Sequence, residues 1–209
     1  MTWTSGVGRV CGVLLDAIVK MLALARINPN ALTLAGLAVN TYAAFLFGYA
    51  NGDNQGRMFL YAGLVIIGSG FFDLVDGRVA RASNQVSLFG AFFDSVVDRY
   101  SDASLFFGLL VFYARGQRFF YVVLTALVMI SAIMVSYARA RAESLIGTCR
   151  VGFMERPERL VLLIIGALFN VMAPVLWVIA VLSTITVIHR ITHTWRRTRE
   201  MESATSKAA

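Results

Sequence analysis

The sequence predicts an all-α membrane protein with six transmembrane helices, on three observations. It is 58% hydrophobic and only 15% charged over 209 residues, with a mean hydropathy of +0.70, so its solvent is a bilayer. Two stretches, 31–50 and 119–138, each run 20 residues without a charge, the length that spans a hydrocarbon core. Two shorter charge-free stretches, 58–72 and 103–114, end in carboxylates at the same loop.

At the amino terminus, Val7, Val10, Cys11, Leu14, Leu15, Ile18 and Leu22 recur at three- and four-residue steps, with Arg9, Asp16 and Lys20 on the opposite face. Residues 1–30 therefore read as an amphipathic juxtamembrane helix on the membrane surface. Asp16 and Lys20 interrupt it, which argues against a signal peptide. Asn28-Pro29-Asn30 breaks that helix and the first span follows. The second span runs into Asp73 and Asp76, and the third is preceded by Asp94, Asp98 and Asp102. Residues 119–138 form the fourth.

The apolar stretch 160–189 is 30 residues long, about 45 Å as one helix, and Asn170 and Pro174 near its middle mark a tight hairpin between spans five and six. The six spans fill a catalytic domain over 31–199, and 200–209 reads as a disordered tail.

An even span count returns the carboxyl terminus to the side of the amino terminus. On that topology every Lys and Arg except Arg57, Arg115 and Arg118 lies on the aspartate side, which is cytoplasmic by the positive-inside rule. The expected location is a prokaryotic-type cell membrane. Cys11 and Cys149 fall on the same side and are expected as free thiols. The net charge of +7 comes without aromatic–basic recognition elements, which excludes nucleic acid and points to anionic lipid and phosphate.

The segment 73–98 carries the chemistry. Asp73 and Asp76 are three apart, and Asp94 and Asp98 four apart, so each pair shares one face of its helix. Carboxylates at a membrane boundary are costly and mark a functional site. Four together call for positive charge among them, and an all-oxygen ligand set suits two hard divalent cations, Mg²⁺ or Mn²⁺. Two such ions are suited to clamping a pyrophosphate. Gly77, Ala80 and Gly90 remove bulk beside the carboxylates, and Arg81 can reach a phosphate oxygen. A second basic segment, 136–159, reads SYARARAESLIGTCRVGFMERPER.

The pattern D73-x2-D76-G77-x2-A80-R81-x8-G90-x3-D94-x3-D98 resembles, at every defined position, the signature of the CDP-alcohol phosphotransferase family. The resemblance implies an enzyme that moves a phosphoryl-linked group from a CDP-alcohol to a hydroxyl and releases CMP. It implies that Asp73, Asp76 and Asp94 bind the metals, that Asp98 touches the second metal and acts as general base, and that Asn30, Thr33, Gly77, Ala80 and Arg81 border the CDP group. A homodimer is also implied.

Within the family, SYARARAE followed by GFMERPERL looks like the phosphatidylinositol phosphate synthases, which join CDP-diacylglycerol to inositol phosphate. The acceptor pocket would then be Ser136, Arg139, Arg159 and Arg190. Several arginines suit an acceptor that already carries a phosphate. Arg139 stands where similar sequences usually have Lys, keeping the charge and changing the reach. The alternative acceptor is glycerol 3-phosphate, giving phosphatidylglycerol phosphate. A divalent-cation transporter would also carry carboxylates in membrane helices, but on discontinuous helices near mid-membrane.

Overall fold

The computed structural model describes Met21, residues 28–83 and residues 85–208, except the side chains of Leu74, Asp76, Thr205, Lys207 and Ala208. Among these residues there are six helices and no strand: α1 Pro29–Tyr49, α2 Gln55–Ala82, α3 Leu88–Arg115, α4 Phe119–Ile146, α5 Arg156–Leu168 and α6 Met172–Ala208. Four of them, α1, α2, α4 and the stretch Met172–Ala204 of α6, are long and apolar enough to cross a bilayer. The expected amphipathic helix over 1–30 lies outside the described residues, apart from Met21 and the start of α1.

Helix starts follow local chemistry. The Asn28 carboxamide oxygen accepts the Asn30 N–H at 2.9 Å, with Pro29 in the first helical position, where its missing N–H costs nothing. The Ser87 hydroxyl accepts the Gly90 N–H at 2.9 Å, capping α3 in the same way. At α5, Glu155 and Glu158 form a reciprocal capping box, in which each side chain satisfies the other's backbone donor. The expected hairpin near Asn170 is present, with Asn170 at φ 54° between α5 and α6. Pro174 sits in the first turn of α6, where it breaks no hydrogen bond.

Two expectations differ from the structure. Helix α5 has only 13 residues, about 20 Å, because the hairpin at Asn170 ends it. The segment 200–209, expected as a tail, continues α6 to Ala208. Its Glu, Met, Ala and Ser residues tolerate helix, and Arg197 pairs with Glu200 at 3.0 Å.

The chain divides into two compact units. The first comprises Met1–Tyr42 and Val65–Ser101. Val75 and Val79 pack there with Leu32. A buried polar clasp joins its three helices: Asn40 on α1 donates to the Ser101 hydroxyl on α3 at 2.5 Å and accepts from the Ser69 hydroxyl on α2 at 2.6 Å. All three residues are buried, so the clasp fixes a register that apolar contacts alone would leave free to slide.

The second unit comprises Ala43–Leu64 and Asp102–Ala209. Phe47, Phe59 and Phe112 form a chain of edge-on rings with centroids 5.0 and 4.9 Å apart. Gly108 lets α3 approach α1 directly, since a Cβ there would lie 2.2 Å from the Ala44 carbonyl oxygen. Backbone cannot give way as a side-chain end can. Gly108→Ala is therefore expected to destabilise the protein by at least about 1–3 kcal/mol, seen as a lower melting midpoint in detergent. An unchanged midpoint would contradict that contact.

Candidate active site

In the first unit, a cavity of about 250 Å³ is lined by Asn30 and Thr33 of α1, Gly77, Ala80 and Arg81 of α2, and Asp94 of α3. This is near the small end of ligand pockets, which begin at roughly 300 Å³. All five residues expected beside the CDP group thus line one cavity with one of the four motif aspartates. Pro29, Gln85, Val86, Ser87 and Ala91 complete the lining together with Gly90, and no spacing argument had singled out those five. The sequence signal for them was only their place around the Asn-Pro break and in the connection from α2 to α3.

Both α1 and α3 begin at this cavity. Their first-turn N–H groups and the positive ends of two helix dipoles favour an anion there. Arg81 adds a full charge, and its guanidinium lies over Gly77, where a Cβ would come within 3.8 Å of it. The Asn30 carboxamide faces Gly90, 3.5 Å from where a Cβ would sit.

Asp73, Asp94 and Asp98 are half-buried in the same unit, and all three are engaged in contacts. Asp73 points towards α1, with Oδ1 3.5 Å from the Cβ position of Gly36. Among the described residues no three His, Cys, Asp or Glu side chains group as a metal site, and the Asp76 side chain lies outside them. By donor chemistry the aspartates fit a hard divalent cation: they offer only anionic oxygens.

The second unit holds the expected acceptor residues. Arg139 and Arg190 converge on one atom, Glu155 Oε1, at 2.9 and 2.8 Å. Arg139 also donates to Glu143 at 3.0 Å. Arg190 is 1% exposed and donates to the Val151 and Val135 carbonyls at 2.9 and 2.6 Å. Arg159, also 1% exposed, goes elsewhere: its NH2 meets Asp102 Oδ2 at 2.5 Å. Ser136 is half-buried on α4. The three arginines therefore have three carboxylate partners, Glu143, Glu155 and Asp102, which sequence reasoning missed.

The loop before α5 owes its shape to Gly152 at φ 120°, a conformation that L side chains rarely adopt. Thr186 on α6 accepts the next two backbone N–H groups, of Phe153 and Met154, at 3.2 and 3.1 Å. Cys149 in this loop is buried and free, as expected; Cys11 lies outside the described residues.

Residues 26–191 match the model of the CDP-alcohol phosphatidyltransferase family. The chain belongs to that family. An archaetidylinositol phosphate synthase of Pyrococcus horikoshii is 40% identical over 178 residues, covering 85% of this chain and 88% of the relative. The crystal structure of Mycobacterium tuberculosis phosphatidylinositol phosphate synthase with CDP-DAG bound is similar at a TM-score of 0.77 and 30% identity, covering 87% of this phosphatidyltransferase and 93% of that chain. A second structure of the mycobacterial enzyme, in complex with manganese and citrate, is similar at a TM-score of 0.75 and 30% identity, covering 87% and 88%.

Proposed function

We propose that this phosphatidyltransferase moves a phosphatidyl group from CDP-diacylglycerol to inositol phosphate, giving phosphatidylinositol phosphate and CMP. The observation that carries the reading is the cavity in which Asn30, Thr33, Gly77, Ala80 and Arg81 meet Asp94 at two helix N-termini. The relatives differ in the lipid, archaetidyl against phosphatidyl, but share the inositol phosphate product. That favours inositol phosphate over glycerol 3-phosphate as acceptor.

In the proposed mechanism, Asp73, Asp76 and Asp94 would hold two divalent cations, Mg²⁺ or Mn²⁺, with Asp98 reaching the second. When bound, these ions would neutralise the diphosphate and the departing phosphate. The α1 and α3 N-termini and Arg81 hold the nucleotide. Asp98 takes the proton of the acceptor hydroxyl, whose oxygen attacks the lipid-linked phosphorus. A new P–O bond forms, the diphosphate P–O bond breaks, and CMP leaves with the electron pair. Arg139 and Arg159, with Ser136, bind the acceptor and its phosphate, and Arg190 holds Glu155 beside Arg139. The protein would work as a homodimer of six-span subunits, with its active site on the cytoplasmic side of a prokaryotic-type membrane.

The test is CMP release in bilayers containing CDP-diacylglycerol, with inositol phosphate and glycerol 3-phosphate supplied separately. Release with glycerol 3-phosphate alone would overturn the acceptor assignment and leave the family chemistry standing. In the same assay a chelator is expected to abolish release, and Mg²⁺ or Mn²⁺ to restore it. Full activity after rigorous metal removal would refute the aspartates' ligand role.

A further inference from the structure

We infer that Asp102 is a positioning residue for the acceptor, orienting Arg159 towards the phosphate of inositol phosphate; this rests on the acceptor reading above. Asp102 lies outside the family signature, one helical turn after Asp98 on α3. It is 5% exposed and takes Arg159 NH2 at 2.5 Å and Arg156 Nε at 3.5 Å.

Two guanidiniums thus share one carboxylate. A buried ion pair kept for stability alone needs its remaining donors and acceptors satisfied. Here they are not. Of the five buried side-chain polar atoms without a hydrogen bond among the described residues, three are Arg159 Nε, Arg159 NH1 and Asp102 Oδ1. Native proteins leave few such atoms, and a cluster of them calls for an explanation.

The arrangement suits an oxyanion. Asp102 holds one terminal nitrogen of Arg159 and leaves Nε and NH1, each sharing an edge of the guanidinium with the held nitrogen, as donors. Phosphate oxygens bind such donors well. Arg190 is different, because its guanidinium is already committed to two carbonyls and Glu155. Arg159 is therefore the buried arginine with donors to give, and Asp102 decides where they sit.

The experiment uses the full chain in bilayers and measures apparent KM for inositol phosphate and for CDP-diacylglycerol separately. Asp102→Asn and Arg159→Ala are each expected to raise the inositol phosphate constant about 10-fold or more and to leave the CDP-diacylglycerol constant within about twofold. The double variant should be no worse than Arg159→Ala, because Asp102 acts through Arg159. Asp102→Glu, which keeps the charge on a longer arm, should fall between wild type and Asp102→Asn. A general packing defect would move kcat or both constants instead.

If Arg159→Ala raises the inositol phosphate constant and Asp102→Asn does not, the positioning role is overturned while the acceptor reading survives. If neither variant moves it, the acceptor reading falls and takes this inference with it. Should Asp102→Asn fail to fold, Asp102→Glu decides, and wild-type constants in that variant overturn the proposal.

Discussion

Asp98→Asn is expected to lower CMP release by about 10²- to 10⁴-fold while leaving affinity for CDP-diacylglycerol largely intact. The substitution keeps the size of the side chain and removes its negative charge, and with it the proposed base and its reach to the second metal. Asp98 is half-buried on α3, one turn beyond Asp94, which lines the cavity beside Arg81. Asp73, Asp76 and Asp94 would remain to hold metal and nucleotide. Asp73→Asn should behave differently, losing nucleotide binding together with turnover, because it removes a proposed ligand rather than the base. The measurement is a single-turnover rate beside a CDP-lipid binding isotherm. Near-normal turnover in Asp98→Asn would end the base assignment, and tight metal-dependent nucleotide binding by Asp73→Asn would end its role as a ligand.

The sequence was most legible where function imposes local spacing. Asp73, Gly77, Ala80 and Arg81 share one helix, and Gly90, Asp94 and Asp98 the next, so their relative placement follows from helical geometry before any tertiary contact is known. The hairpin at Asn170 was legible for the same reason: one residue there adopts a left-handed conformation that Asn tolerates.

What could not be read depends on long separations. Asp102 and Arg159 are 57 positions apart, Arg190 and Glu155 are 35 apart, and Asn40 and Ser101 are 61 apart. No local periodicity encodes such pairs. Basic residues between spans also have an ordinary explanation in membrane topology, which hides the few that are buried and paired.

That difference among the arginines separates two effects that sequence reasoning had merged. Arg190→Ala is expected to weaken the fold itself, whereas Arg139→Ala should act on the acceptor. Arg190 is 1% exposed, and its loss would strip a donor from the Val135 and Val151 carbonyls and from Glu155. Glu155 would keep Arg139, but a buried carbonyl that loses its partner costs about 1–3 kcal/mol. The damage would reach the capping box at α5 and the loop that Thr186 ties to α6. Arg190→Ala should therefore lower the melting midpoint in detergent and reduce turnover whichever substrate is varied. Arg139 is 39% exposed at its side chain and bonds only to Glu143 and Glu155, so water can replace much of what it loses. Arg139→Ala should keep the midpoint and raise the apparent inositol phosphate constant about 10-fold. Paired melting curves and substrate titrations decide the matter. A stable Arg190→Ala enzyme with a defect confined to inositol phosphate would show that this guanidinium leaves its carbonyls to bind the acceptor.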